Sequence, residues 1–267
     1  MLREAFEYLT TPCPPLARRY GYLAEMVALG ARHRRQKTAW APHLASCRRF
    51  VIDAMTRVPK GGRAMVAGSG LLLEVPLREL AGHFGEVVLV DVIHTRTVRR
   101  AARHWPNVRL ETLDVTGALE PLAEALAASR PLPAPVPPSL AGERFAFAVS
   151  CNLLSQLPLM PLGAIERAAP AMPNAVRGAF AQSLARDHLA WLARNAESPA
   201  LFSDTESLWL DGGRVIGRED SLWGLAPPAP DRSWTWEIAP APEEDRKRDL
   251  HHTVGAWFDV TGFAASC

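Results

Sequence analysis

Apolar residues recur at helical spacing through the first sixty positions of the chain. Between residues 16 and 30 they stand three and four positions apart, and the same spacing runs from residue 40 to residue 58. Each pattern predicts a helix with one apolar face. These faces need a surface to pack against, and only residues 60–62 separate the second helix from the segment that follows. We therefore expect residues 1–60 to form a helical cap that belongs to the same folded unit as the rest of the chain.

Beyond residue 62, short apolar runs alternate with helical patterns. The runs start at Ala64, Val87, Val108 and Phe145, and the helical patterns cover residues 71–82, 95–104 and 116–130. This alternation is typical of crossover units, in which a helix joins two parallel strands. We expect a parallel sheet with helices on both faces.

The last third of the chain is less regular. A helix is predicted over residues 179–196 and a strand over residues 201–210. Residues 234–238 and 253–259 alternate between apolar and polar positions, which predicts an antiparallel strand pair. The predicted fold is α/β: a doubly wound, mostly parallel seven-stranded sheet over residues 61–267, with a C-terminal antiparallel strand pair and the helical N-terminal cap.

The composition narrows the class of protein. Hydrophobic residues make up 48% of the 267 residues and charged residues 22%, which excludes a disordered or fibrous chain. No run of 18 apolar residues is present, so no membrane span is predicted. The four cysteines are far apart and form no CxxC pair, so neither a disulfide framework nor a metal site is expected. The first ten residues include acids and lack the apolar core of a secretory signal, so we expect a cytoplasmic location.

A glycine-rich turn and a strand-end acid carry the candidate chemistry. Gly68, Ser69 and Gly70 stand between an apolar run and a predicted helix, an arrangement that brings backbone N–H groups close to a ligand. Asp91 ends the next predicted strand, 23 residues beyond Gly68. That spacing is close to the ~20 residues at which an acid binds ribose hydroxyls. The order of these elements predicts a nucleoside-containing cofactor at the carboxyl edge of the sheet.

The turn disfavours two cofactor classes. A dinucleotide-binding fold has a third small residue where this chain has Leu73, and a bulky side chain there disfavours NAD and FAD. A phosphate-binding loop is excluded because the chain has no Gly-Lys-Ser/Thr sequence.

These segments resemble the class I S-adenosylmethionine-dependent methyltransferases. The resemblance covers roughly residues 60–260 and rests on VAGSG (66–70), VLVD (88–91), LDV (113–115), FAFAVSCNLL (145–154) and the closing antiparallel strands. It implies that residues 68–70 pass under the methionine part of the cofactor. It further implies that Asp91 holds the ribose hydroxyls, with Val92 against the adenine.

The same resemblance implies roles at the ends of the third and fourth strands. Asp114 would accept a hydrogen bond from the adenine amine, and Val115 would flank the ring. Ser150, Cys151 and Asn152 would line the transferring methyl group and the substrate. Cys151 stands where cytosine-C5 methyltransferases carry a nucleophile, but Ser150 replaces the preceding proline of those enzymes. A small buried apolar role therefore fits Cys151 better.

Four further polar residues are candidates for the substrate side. Asp204 and Glu206 lie near the predicted fifth strand, and His251 and His252 precede the last strand. A histidine could act as a general base because its pKa is near neutral, although polar side chains of a solvated surface loop explain these residues equally well. His188 is predicted to lie on a solvated helix face.

The distribution of charge along the chain bears on the kind of molecule that it binds. Residues 1–60 carry a net charge of +7, from eleven Lys and Arg and four Asp and Glu, in a chain whose net charge is +2. The basic run at residues 32–37 could bind the phosphates of RNA, but no aromatic residues are interleaved with it, which disfavours nucleic acid. If the cap lies over the substrate side of the cleft, its arginines favour an anionic small molecule.

The function that the resemblance implies is methyl transfer from S-adenosylmethionine to a small molecule, with S-adenosylhomocysteine as product. The methyl group is activated by the cofactor, so no catalytic side chain is predicted. Val66 and Ser150 stand where the family often has acids. These departures leave open a methyltransferase-like binding or partner protein without transferase activity. A dinucleotide-dependent oxidoreductase is a third, weaker hypothesis.

Overall fold

The computed structural model describes residues 2–140, 142 and 144–263. Its helices are α1 (Leu2–Thr10), α2 (Pro15–Tyr20), α3 (Tyr22–Arg35), α4 (Lys37–Met55), α5 (Leu77–His83), α6 (Arg96–Ala102), α7 (Leu119–Ala127), α8 (Leu159–Ala168) and α9 (Asn174–Asn195). Its strands are β1 (Arg63–Ala67), β2 (Glu86–Asp91), β3 (Val108–Thr112), β4 (Phe145–Cys151), β5 (Ala196–Asp211), β6 (Arg214–Asp220), β7 (Arg232–Ala239) and β8 (Arg248–Trp257). Within these ranges every helix is too short or too polar to cross a membrane. Cys267 lies outside the described residues.

The strands of the described chain form one sheet. Seven of them follow the order β3-β2-β1-β4-β5-β8-β7, and β6 pairs with β5 outside this path. Strands β1 to β5 run parallel to one another. Strand β8 is antiparallel to both of its neighbours, β5 and β7. The mostly parallel seven-stranded sheet and its closing antiparallel pair are confirmed, and β6 is an addition that the sequence pattern did not predict.

The sheet is covered on both faces because its central strands are apolar on both sides. Successive strand residues point to opposite faces, so β1 sends Ala64 and Val66 into one core and Met65 and Ala67 into the other. The first core contains residues of α4, and the second contains residues of α9. Burial on both faces is typical of parallel strands between helical layers. The doubly wound arrangement is confirmed.

The N-terminal helices contact the C-terminal strands. In α4, the indole N–H of Trp40 donates to the carbonyl of Ile238 in β7 at 2.9 Å. The ring of Trp40 also meets that of Trp236 edge to face, with centroids 4.9 Å apart. At the end of α3, Arg35 forms an ion pair with Glu243 in the loop between β7 and β8. The division into a cap of residues 1–60 and a domain of residues 61–267 stays a prediction.

Three parts of the helix prediction were wrong. The helix predicted from residue 71 begins only at Leu77, because Leu72 adopts a positive φ of 60° and residue 75 precedes Pro76, which disfavours helical backbone. The first predicted helix is interrupted at Gly21, whose φ of 100° is left-handed. Helix α8 covers a segment for which the sequence pattern predicted no helix. Residues 71–76 therefore form an irregular segment beside the sheet edge.

Candidate functional site

A cleft lies at the carboxyl edge of β1, β2 and β4, beneath α3 and α4. It is lined by Tyr22, Glu25, Met26, Leu29, Trp40, Leu44, Gly68, Ser69, Gly70, Leu71, Leu73, Glu74, Asp91, Val92, Cys151, Asn152, Leu153, Gln156, Leu157, Leu159, Met160 and Trp236. We name its two ends by their residues. The glycine-loop end comprises Gly68, Ser69, Gly70, Asp91 and Val92, and the tryptophan end comprises Trp40, Leu44, Leu73, Glu74 and Trp236.

The loop after β1 requires glycine at its first position. Gly68 has a φ of 73°, and a Cβ atom there would lie 3.0 Å from the carbonyl oxygen of Cys151 and from the Cβ of Leu153. At Gly70, with a φ of 50°, the nearest atom to an added Cβ is 3.9 Å away. The hydroxyl of Ser69 is buried and has no hydrogen-bond partner among the described residues. The loop thus offers close backbone approach and one unused polar atom.

Asp91 ends β2 and closes the glycine loop. Its Oδ2 accepts the backbone N–H of Gly70 at 2.7 Å, and its Oδ1 accepts that of Ile93 at 3.3 Å. Burial raises the pKa of Asp91, and the Gly70 N–H opposes that shift. An ionised carboxylate offers about four acceptor positions, so Asp91 keeps capacity for the hydroxyl groups of a ligand. Its role as the ribose ligand stays a prediction.

A smaller recess continues from the glycine-loop end, between the ends of β2 and β3. It is lined by Tyr22, Gly68, Val90, Asp91, Val92, Leu113, Asp114, Val115, Leu153 and Leu157. Val92 and Val115 both line this recess, and their place beside an adenine ring stays a prediction. Asp114 is engaged in its own turn, because Oδ1 accepts the N–H and the hydroxyl of Thr116 and Oδ2 accepts the N–H of Leu119. The predicted contact of Asp114 with the adenine amine stays a prediction.

Ser150 faces away from the cleft. It precedes Cys151 in β4 and so points to the opposite face of the sheet. There its hydroxyl lies 2.9 Å from Nε2 of His188 in α9. His188 is fully buried, and burial lowers its pKa to about 4. The predicted solvated position of His188 was therefore wrong, and Ser150 supports the sheet's packing where the resemblance implied a cleft residue.

Asn152, Asp204 and His252 come together behind the cleft. The Asn152 amide donates to Oδ2 of Asp204 at 3.1 Å, and its oxygen accepts the Asp204 N–H at 2.8 Å. Asn152 adopts a φ of 46°, which asparagine tolerates better than most residues. Burial raises the pKa of Asp204, and its Oδ1 has no hydrogen-bond partner among the described residues. Nδ1 of His252 lies 3.8 Å from Oδ2 of Asp204.

The other substrate-side candidates differ in position. Glu206 pairs with Arg218 across the β5–β6 hairpin at 2.8 Å, and His251 pairs with Leu208 along β8. Neither Glu206 nor His251 lines the cleft. Cys151 does line it, but burial raises the pKa of its thiol well above the ordinary value, so the thiolate needed for nucleophilic attack is disfavoured.

The charged side chains that line the cleft are acids, within the part of the chain that the structure describes: Glu25, Glu74 and Asp91. The arginines expected at its entrance are engaged elsewhere. Arg32 pairs with Glu244, Arg35 with Glu243 and Arg34 with Glu4. These three ion pairs weaken the expectation of an anionic ligand, since each arginine already has a carboxylate partner.

Sequence reasoning missed most of the tryptophan end. Glu74 was assigned to a helix, whereas it belongs to the irregular segment of residues 71–76 and enters the cleft. His43 in α4 lies behind it, with Nε2 2.9 Å from Oε1 of Glu74. The one available signal was the alternation of Trp234 and Trp236, which marked a strand with two large aromatic residues.

The strand order identifies the fold. The sequence β3-β2-β1-β4-β5 is shared with dinucleotide-binding proteins, whose sixth strand follows directly after the fifth. Here the antiparallel β8 lies beside β5 and β7 is at the sheet's end. The chain has a Rossmann-like α/β fold whose sheet is closed by an antiparallel strand pair.

No protein-family model matches the sequence, and a search of curated proteins finds no significant match. Similar solved structures include the N-methyltransferase NodS from Bradyrhizobium japonicum WM9, with a TM-score of 0.39, 10% identity, and coverage of 81% of this chain and 95% of that one. The complex of DhpI with S-adenosylhomocysteine has a TM-score of 0.37 and 13% identity, with coverage of 87% of this chain and 95% of that one. The 23S rRNA methyltransferase ErmE has a TM-score of 0.34 and 12% identity, with coverage of 78% of this chain and 68% of that one. At these scores the strand order of the chain itself, and not the similarity, defines its fold.

Proposed function

We propose that this protein transfers a methyl group from S-adenosylmethionine to a small apolar molecule. The observation that carries this proposal is that the recess beside Val115 and the cleft that reaches the tryptophan end adjoin each other, with Gly68 and Asp91 lining both. A nucleoside at one end and an acceptor at the other would meet above Asn152 at the end of β4. Such a meeting point is where ligands bind in open α/β sheets.

The residues present fit this cofactor. Gly68 leaves room for backbone to approach the ligand, and the buried Ser69 hydroxyl lacks a partner that a ligand would supply. Asp91 keeps free acceptor positions for two ribose hydroxyls, and Val92 and Val115 would flank the adenine. The bound cofactor supplies a methyl group already activated on a sulfonium. The protein's own residues bind the cofactor, orient it beside the acceptor and exclude water. This positioning contributes most of the acceleration.

A small acceptor fits the tryptophan end better than a polynucleotide does. Helices α3 and α4 cover this end, and the walls there include Met26, Leu29, Leu44 and Trp40. Acids line the cleft, and they would repel a phosphate backbone. We infer that residues 1–60 act as the lid of the acceptor side, built onto the cofactor-binding domain of residues 61–267.

Calorimetry with S-adenosylmethionine, S-adenosylhomocysteine and NAD tests the proposal. We expect both sulfur compounds to bind and NAD to give no heat. Binding of NAD alone would replace the proposal with an oxidoreductase. Binding of the sulfur compounds, with no methyl transfer to any amine, alcohol, thiol or acid in a panel of small apolar acceptors, would support the alternative of a binding protein without transferase activity.

A further inference from the structure

Glu74 enters the cleft from the irregular segment of residues 71–76. Two residues of α4 hold this segment in place. Nε of Arg48 donates to the carbonyl oxygen of Leu73 at 2.8 Å, and the ring of His43 lies against Glu74. The side chain of Glu74 is 20% exposed, so one part of it is fixed from behind while another part stays accessible in the cleft.

His43 orients Glu74 through a defined tautomer. The indole N–H of Trp234, which can only donate, points at Nδ1 of His43 at 3.1 Å. Nδ1 is therefore an acceptor, and the ring proton is on Nε2. That N–H donates to Oε1 of Glu74 at 2.9 Å. The ring is completely buried and stacks on Trp236 with centroids 4.0 Å apart and an interplanar angle of 7°.

The same geometry argues against a metal ion at this place. His43, Cys47 and Glu74 have ligand atoms within 4.8 Å of one another, a spacing that a metal site would also show. Coordination through Nε2 of His43 would require the proton to move to Nδ1, where the Trp234 N–H already points. Burial also raises the pKa of the Cys47 thiol well above its ordinary value. The cluster is satisfied as a chain of hydrogen bonds that ends at Glu74.

The surroundings of Glu74 define a ligand class. The indole rings of Trp40 and Trp236 line the same end of the cleft and suit a cation or an aromatic group. No described Lys, Arg or His side chain lines the cleft.

We propose that the tryptophan end binds an apolar amine, with the protonated nitrogen on Glu74, and that His43 is the residue that positions Glu74 for this contact. The inference rests on the proposed function, since it gives the chemical class of the molecule that accepts the methyl group. The ammonium is the group that Glu74 recognises; because it has no lone pair, it is not the group that attacks the methyl. It makes Glu74 the residue that determines specificity, because an ammonium group gains a charge-assisted hydrogen bond there and a carboxylate is repelled.

Binding of matched probes tests the charge preference. Phenethylamine and tryptamine are compared with 3-phenylpropionate and 3-phenylpropanol by calorimetry, with and without saturating S-adenosylhomocysteine. We expect the amines to bind the wild-type protein at least about tenfold more tightly than the alcohol, and the carboxylate most weakly, since charge-assisted hydrogen bonds are the stronger ones. Equal affinity for amine and carboxylate would overturn the inference.

Variants assign the preference to residues. Glu74→Gln should abolish the amine preference and keep S-adenosylhomocysteine affinity, whereas Glu79→Gln, which removes an exposed acid of α5, should change neither. A loss of amine preference in Glu25→Gln as large as that in Glu74→Gln would overturn the assignment to Glu74. If S-adenosylhomocysteine fails to bind the wild-type protein, the proposed function fails, and the amine preference is still measured without it.

The role of His43 needs a readout beyond stability. His43→Gln keeps an N–H donor toward Glu74, and His43→Phe keeps only the ring that stacks on Trp236. At equal S-adenosylhomocysteine affinity, we expect the amine preference to be retained in the glutamine variant and lost in the phenylalanine variant. Nitrogen NMR of the His43 ring should show the proton on Nε2. A proton on Nδ1, or a shift of the Nε2 signal on addition of Zn²⁺, would overturn the hydrogen-bond chain in favour of a metal site.

Discussion

The two ends of the cleft are built in different ways. The glycine-loop end is formed by the backbone of the loop and by one strand-end carboxylate. All of its residues lie at the end of β1 or β2 or directly after it. At the tryptophan end, side chains from α4, from residues 71–76 and from β7 meet although His43 and Trp234 are 191 positions apart. The comparison teaches that the glycine-loop end is fixed by local chain geometry, while the tryptophan end depends on long-range packing. Changes at the two ends should therefore have separable effects.

The largest expected effect is at the first glycine of the loop. Gly68→Val should abolish S-adenosylhomocysteine binding, because the added side chain meets Cys151 and Leu153 at a backbone angle that only glycine adopts easily. Calorimetry together with circular dichroism measures binding and fold. Gly82→Ala is the matched control, since nothing lies within 4 Å of its added Cβ, and it should bind normally. A folded Gly68→Val protein that binds normally would show that the cofactor lies elsewhere.

A smaller loss is expected at Asp91. Asp91→Ala removes the acceptor for the ribose hydroxyls and should weaken S-adenosylhomocysteine binding by about 1.5–3 kcal/mol, the range for hydrogen bonds to charged groups. The thermal shift that the ligand produces should shrink in proportion. Glu79→Ala, at an exposed position of α5, serves as the control. Equal ligand-induced shifts in wild type and Asp91→Ala would contradict the assignment.

A pH-dependent change in stability is expected at Asp204. Burial raises the pKa of this carboxyl, so its contribution to folding is most favourable at low pH and is lost as pH rises through the raised pKa. Asp204→Asn removes the buried charge, and its amide can still accept from Asn152. The variant should therefore gain melting temperature relative to wild type at pH 8 and gain less at pH 4. Thermal unfolding at both pH values measures this, with Glu79→Gln at an exposed position of α5 as the control, and a larger gain at pH 4 would contradict it.

The smallest effect on binding is expected at Ser150. Its hydroxyl contacts His188 on the far face of the sheet, so Ser150→Ala should leave S-adenosylhomocysteine affinity within about twofold while lowering stability by about 1 kcal/mol, as for one buried hydrogen bond. Denaturant unfolding and calorimetry separate the two quantities. A tenfold loss of affinity in a stable variant would mean that Ser150 reaches the cofactor and that the division between the two ends fails.

The sequence predicted the glycine-loop end better because its signals are local. The run from Ala64 to Ala67, the glycine turn and Asp91 are neighbours in sequence, and crossover units bring strand ends to one edge. Ser150 was misplaced by one position, and in a strand one position reverses the face that a side chain points to. The sequence pattern shows that β4 is buried but does not show which face borders the cleft.

The tryptophan end could not be predicted because nothing local marks it. Glu74 stands in a leucine-rich stretch that has helical spacing, and the positive φ of Leu72 and the restriction before Pro76 override that propensity. His188 has polar neighbours in sequence, yet α9 packs that side onto the sheet and buries it. In both cases tertiary contacts decided the outcome against local preference.

The contact between α4 and β7 also bears on the order in which the chain becomes functional during synthesis. Trp40 leaves the ribosome almost two hundred residues before Ile238, to whose carbonyl it donates. Until β7 emerges and pairs with β8, the apolar side of α4 that carries Trp40 has no such surface to pack against, which is the kind of transient exposure that chaperones bind. The strands β1 to β4 need none of these late residues for their own pairing. A nascent chain can thus assemble the glycine-loop end first and complete the tryptophan end last.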